Sequence, residues 1–154
     1  MERTLIIVKP DALQRNLMGD ILSRFEKKGL KIVGMKMIKL EDMLLDEHYS
    51  HHKDKPFFDG LKKYMKSSPV VLLVLEGLEV INAVRLIVGP TKGRDADAGS
   101  IRGDLSMSQQ ANLVHASDSP ENAVAEIKRF FNETELFTYT KGDWEWVYAE
   151  DERS

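Results

Sequence analysis

VVLLVL, residues 70–75, follows Pro69 and is followed by Glu76 and Gly77. Six apolar residues in a row have no polar face to offer water, so the segment is expected to be a central strand covered on both sides. Working outward, TLIIV (Thr4–Val8) is a second run of this kind, ended by Lys9 and Pro10. LKIVGMKMIKL (Leu30–Leu40) mixes lysine with apolar residues in imperfect alternation and reads as a third strand. LVHA (Leu113–Ala116) is short enough to be a fourth. Between the first two, Leu17, Ile21, Leu22 and Phe25 recur at helical spacing, with Asp11 able to cap the segment and Gly29 to stop it. Residues 43–66 read as two short helices broken at Pro56, and Val80, Ile81, Val84, Ile87 and Val88 form an apolar helix stripe. SPENAVAEIKRFF (Ser119–Phe131) carries an N-cap serine and a first-turn proline. Strands that alternate with helices make an α/β sandwich, with helices against a sheet of about four strands.

The 154 residues suit one domain, taken here as 1–154 with 151–154 as a loose tail. A chain of this size buries roughly 68–70% of its unfolded surface, enough for a real core. A net charge of −3 and the lack of a basic stripe argue against nucleic acid as a partner. No apolar run could span a bilayer, and the five residues before Lys9 are too few for a signal peptide. With no cysteine, thiol nucleophiles and disulfides are excluded, and a reducing cytoplasm is the expected compartment.

The chemistry concentrates around NLVHASDS (Asn112–Ser119). A lone histidine is more often satisfied by a backbone partner than catalytic, but three features set His115 apart. It lies just ahead of a helix N-terminus, where free N–H groups favour an anion. Asn112, Ser117 and Asp118 surround it with small polar groups. Glu126 sits about 40° off the apolar stripe of the following helix, at roughly 100° per residue. A helix folded back on the sheet could bring that carboxylate to one ring nitrogen and leave the other unprotonated and nucleophilic. Residues 89–111 form a long segment with four glycines, which suggests a functional loop. Lys92, Arg94 and Arg102 lie in it, with Arg85 and Lys9 nearby, and together they would clamp a polyphosphate.

Other signals are weaker. No GxxxxGK[ST] or GxGxxG is present. DADAG (Asp95–Gly99) fails as a calcium loop at its fifth and twelfth positions. No strained elbow presents a serine for a Ser–His–Asp triad. His48, His51 and His52 have metal-ligand spacing, yet the lysines around them point to a solvated helix face.

ERTLIIVKPD, RFEKKGLKIVGMKM, HYSHHKDKPFFDGL, MKSSPVVLLVLEG, GSIRGD and NLVHASDS, in this order, resemble the nucleoside diphosphate kinase family from residue 2 to about Tyr148. The resemblance implies a ferredoxin-like α/β sandwich on a four-stranded antiparallel sheet. It implies that the γ-phosphate of a nucleoside triphosphate, typically ATP, passes through a phosphohistidine on His115 to a nucleoside diphosphate, in ping-pong fashion and with broad base and sugar tolerance. In that family Glu126 would hold the ring, with Ser117 orienting the pair and Tyr49 lining the site. Lys9, Arg85, Thr91, Arg102 and Asn112 fall on nucleotide contacts, and Phe57 on the aromatic that stacks on the base. Mg²⁺ would be held mainly by the nucleotide phosphates rather than by protein side chains. A homo-oligomer is implied, a hexamer first and a tetramer second. Gly93 and Ala98 stand where relatives carry loop prolines, which implies looser three-fold contacts. DWEWVY (Asp143–Tyr148) alternates like an extended segment laid over a neighbour. The competing reading is a catalytically idle nucleotide-binding or scaffold module, which would be expected to lose His115, Glu126 or Lys9.

Overall fold

Four strands form one antiparallel sheet in a computed structural model that describes residues 1–153. They are β1 (Glu2–Val8), β2 (Lys31–Ile38), β3 (Val70–Gly77) and β4 (Val114–Ala116), in the order β2-β3-β1-β4. The two continuous apolar runs are the two central strands. Their residues alternate between two cores: Ile6, Val8, Val71, Leu73 and Leu75 on one face, Leu5, Ile7, Val70, Leu72 and Val74 on the other. A strand covered on both faces has no position left for a polar residue, which is why its sequence does not alternate.

The first face is covered by α2 (Met18–Lys27) and α5 (Val80–Val88), through Ile21, Phe25, Val80, Ile81, Val84 and Val88. The second is covered by α3 (Asp42–His48), α4 (Phe58–Met65) and α7 (Pro120–Phe130), through Leu45, Phe58, Leu61, Met65, Ile127 and Phe130. The capping of α7 is as the sequence indicates: Ser119 Oγ accepts the Asn122 N–H at 3.2 Å, and Pro120 opens the helix. Gly29, at φ 91°, ends the α2 region, and a Cβ there would meet Val147 Cγ1 at 2.5 Å.

Several local expectations are corrected. The first helical stretch is two helices, α1 (Pro10–Gln14) and α2, separated at Asn16, whose φ is 58°. Asp11 lies inside α1 and caps nothing. Its carboxylate instead accepts hydrogen bonds from the Tyr64 hydroxyl and from the Leu113 N–H, the latter at 3.1 Å. The segment 89–111 holds a five-residue helix, α6 (Ile101–Leu105), capped by Ser100 Oγ accepting from Gly103 N. Trp144–Val147 is a helical turn, α8, not an extended strand, with Trp144 and Tyr148 rings 4.7 Å apart. The tail is tied down as far as Arg153, which donates to the Tyr148 and Glu145 carbonyls at 2.9 and 3.0 Å. Among the described residues, no helix is long and apolar enough to cross a membrane.

Candidate active site

His115 is the middle residue of β4 and pairs with Ile7 of β1. Paired residues in an antiparallel ladder share a face, so the imidazole joins Ile7 on the side covered by α3 and α7. There its Nε2 meets Glu126 Oε2 at 2.5 Å. The side chains are 24% and 9% exposed, so the imidazole opens to solvent while the carboxylate is shielded. With Nε2–H donating to the carboxylate, Nδ1 is the ring nitrogen that carries a lone pair.

A cleft of about 1070 Å³ opens over this pair. Lys9, Tyr49, Phe57, Arg85, Thr91, Arg102, Asn112, His115 and Glu126 all line it. Nine of the ten residues expected at the site are therefore together. The tenth, Ser117, is fully buried beneath it and its hydroxyl accepts the Leu5 N–H at 3.2 Å, so its partner is the β1 backbone. Lys92 and Arg94 do not line the cleft. Lys92 pairs with Asp95 at 2.9 Å, and Arg94 donates to the Met107 carbonyl at 3.0 Å.

The floor is a polar lattice. Asn112 Oδ1 accepts from Lys9 Nζ at 2.7 Å, while its Nδ2 donates to the carbonyls of Thr91 and Gln109, both at 2.9 Å. Arg102 donates to three carbonyls: Asn112 at 3.2 Å, Gly89 at 2.9 Å and Val114 at 2.6 Å. Of its five N–H donors, two remain free of these bonds. Burial, and then the nearby Arg102 charge, lower the Lys9 pKa to about 8. Burial and Arg85 lower that of Arg102 to about 10. Burial, with Glu126 adding to it, raises that of Tyr49. Burial and neighbouring cations outweigh the nearby Asp11 charge at both groups, so an added phosphate would favour their charged forms. Phe57, half exposed at the mouth, meets His52 edge-on with centroids 5.1 Å apart.

The sequence reading missed His48 and Arg129. His48 is no part of a solvated face: it is buried at the end of α3, its ring edge-to-face with His115 at 4.8 Å. Leu44 and Leu45 precede it by four and three residues, so it continues the helix's apolar stripe. That stripe was the available signal. His51, by contrast, is exposed as expected.

Among the described residues, His48, His115 and Glu126 are the one close group of metal-type ligands, within 4.8 Å of one another. They do not suit a resident magnesium ion, which favours oxygen ligands. Two of the three are imidazoles, and an Arg129 N–H already occupies His48 Nδ1 at 2.9 Å.

A histidine paired to a buried carboxylate, facing a cation-lined cleft with an aromatic at its mouth, is equipped to move phosphoryl groups. A family model described as nucleoside diphosphate kinase matches residues 2–136. The chain belongs to the nucleoside diphosphate kinase family. It is similar to the nucleoside diphosphate kinase of Parabacteroides distasonis, 53% identical over 152 residues and covering 99% of each chain. That of Thermococcus kodakarensis is 51% identical over 157 residues, covering 100% of this chain and 90% of the relative. The solved structure of a halophilic nucleoside diphosphate kinase from Halobacterium salinarum in complex with CDP superposes with a TM-score of 0.93. It is 44% identical and covers 96% of this chain and 98% of its own. The enzyme is thus a nucleotide phosphotransferase on the ferredoxin-like sandwich. The idle-scaffold reading falls, since this nucleoside diphosphate kinase keeps His115, Glu126 and Lys9 in one cleft.

Proposed function

We propose that His115 carries the phosphoryl group between nucleotides. Nδ1 attacks the γ-phosphorus of a nucleoside triphosphate, the bond to the β-phosphate oxygen breaks, and the diphosphate leaves with that electron pair. The ring, now bonded to phosphorus and still protonated on Nε2, is stabilised by the Glu126 carboxylate. A terminal oxygen of a second diphosphate then takes the phosphoryl group and restores the imidazole. The observation that carries this reading is the 2.5 Å contact between Nε2 and Glu126, which sets the tautomer. Lys9, Arg85, Arg102, Thr91 and Asn112 would hold the phosphates and sugar, and Phe57 would stack on the base, a contact every base can make. Magnesium enters as part of the substrate, bound to its phosphates.

Incubation with magnesium-ATP and no acceptor should place acid-labile, alkali-stable phosphate on His115, discharged by adding a second diphosphate. Finding the main label on Ser117 or Ser119 would overturn the mechanism.

Lys9 supplies a pH test. Its folded pKa of about 8 lies below the ordinary lysine value of 10.5, so the folded protein releases this proton before the unfolded chain does. Between those values the unfolded state binds more protons, and stability rises with pH; below about 8 the whole cost of burying the charge is present. A bound phosphate favours the ammonium form. Nucleotide binding at pH 8.5 should therefore take up a proton, and Lys9→Met should remove that uptake. Calorimetry in two buffers of different ionisation enthalpy reads it; equal uptake in both proteins would show that another group is responsible.

Self-association belongs to the same reading, as a hexamer with tetramer second. Trp146, Leu86 and Met107 are 87%, 80% and 74% exposed, which is a heavy apolar load for an isolated surface. Sedimentation velocity reads the state directly, and an active monomer would refute it.

A further inference from the structure

The cleft contains a second imidazole that this transfer chemistry does not use. His48 Nδ1 lies 2.9 Å from an Arg129 guanidinium nitrogen and 4.0 Å from Glu126 Oε2. That is the same oxygen that His115 Nε2 meets at 2.5 Å. Two imidazoles therefore border one carboxylate oxygen, one bonded to it and the other just beyond hydrogen-bond reach.

Whether His48 competes depends on where its proton sits. Protonated on Nδ1, it could donate to Glu126 and loosen the carboxylate's hold on His115. Protonated on Nε2, it cannot. Arginine has N–H donors and no acceptor, so a nitrogen that faces it at hydrogen-bond distance must be the bare one. The other nitrogen, Nε2, is buried and has no hydrogen-bond partner among the described residues. Leaving a buried N–H unpaired is unfavourable, and this tautomer persists only if something holds Nδ1.

We propose that Arg129 is a positioning residue: by donating to His48 Nδ1 it keeps that nitrogen unprotonated and so reserves Glu126 for His115. The inference rests on His115 being the phosphoryl carrier and Glu126 its ring partner. Arg129 is itself held in place, its Nε donating to Glu47 Oε1 at 3.2 Å. The charged and titratable groups around His48 are Glu126 and Arg129 on α7, His115 on β4, Lys9 at the end of β1, His51 in the following turn, and its neighbours Glu47 and Tyr49. Burial first, then His115 and Arg129, push the His48 pKa down to about 2. The ring is neutral at working pH, and the choice is between tautomers rather than between charge states.

Arg129→Met removes the donor while keeping an apolar stem, and Arg129→Lys keeps a donor. Nitrogen-15 shifts of the histidine rings in the unliganded protein should report Nε2–H on His48 in the parent and in Arg129→Lys, and Nδ1–H in Arg129→Met. Phosphoryl transfer in Arg129→Met should slow about tenfold, the scale of one charge-assisted hydrogen bond lost to a competitor, with kcat rather than KM changed. In a His48→Phe background, where no competitor exists, Arg129→Met should cause no further slowing. The proposal is overturned by Nδ1–H on His48 in the parent, by no slowing, or by equal slowing in both backgrounds, which would mean that Arg129 touches nucleotide or only supports the fold. A failure of the phosphohistidine reading is separate: it would leave His115 unlabelled by magnesium-ATP and the His48 tautomers as described.

Discussion

Replacing His115 with alanine is expected to lower transfer between nucleotides on the order of 10⁶-fold, the scale found when a covalent nucleophile is removed outright. The other groups beside His115 are poorly equipped to substitute. Lys9 and Arg102 are mainly cationic donors, Tyr49 keeps its phenol proton because burial raises its pKa, and the neutral His48 ring has Nδ1 engaged by Arg129 and Nε2 buried. The fold should survive, because the His115 side chain is partly open and β4 keeps its backbone pairing to β1. A second effect separates chemistry from stability. Glu126, 9% exposed at its side chain, would lose its 2.5 Å partner, and a buried carboxylate stripped of its hydrogen bond costs about 1–3 kcal/mol. Urea melts should show that loss, and adding Glu126→Gln should recover part of it without any return of activity. Transfer within tenfold of the parent would show that another residue carries the phosphate.

The strands were readable because burial leaves its mark on composition: Leu5–Val8 of β1 and Val70–Leu75 of β3 are apolar without alternation since both faces are covered. Asn16 carried a weak signal, since asparagine is among the few residues that adopt a left-handed conformation readily, but a single asparagine does not by itself split one helix into two. Helix α6 was hidden for a different reason. Five residues make less than two turns and cannot display a stripe. At the C-terminus, Trp144, Trp146 and Tyr148 satisfy two readings at once. Alternation suggests a strand, but Trp144 and Tyr148 are also four apart, and that spacing is the one the structure uses. In the site, the local pattern around His115 was enough to nominate Glu126, since both lie within one strand–helix unit. His48 was misjudged because the histidine spacing was weighed and the preceding leucines were not. The pairing of His48 with Arg129 spans 81 residues, and no local pattern encodes it.

Arg102→Lys is expected to destabilise the protein by about 3 kcal/mol, which is two or more buried carbonyls left without donors. The charge is conserved, so any argument from charge alone expects a near-neutral change. The geometry says otherwise. The guanidinium reaches the Gly89 carbonyl after α5 and the Asn112 and Val114 carbonyls beside and within β4, while its backbone belongs to α6. A planar fork can serve three acceptors in different directions, whereas an ammonium on a shorter reach serves one well. Gly103 shows how tightly α6 is set, since a Cβ there would collide with the Asp97 carbonyl. The loss should spread to the site, because Asn112 holds Lys9, and its carbonyl is one of those released. For a chain of this size, about 3 kcal/mol corresponds to a Tm roughly 10 °C lower, with the urea midpoint reduced at an unchanged slope. Nucleotide KM should rise as the Lys9–Asn112 pair loosens. A variant that melts within about 1 °C of the parent would mean that these carbonyls find other donors, and that Arg102 serves the phosphates alone.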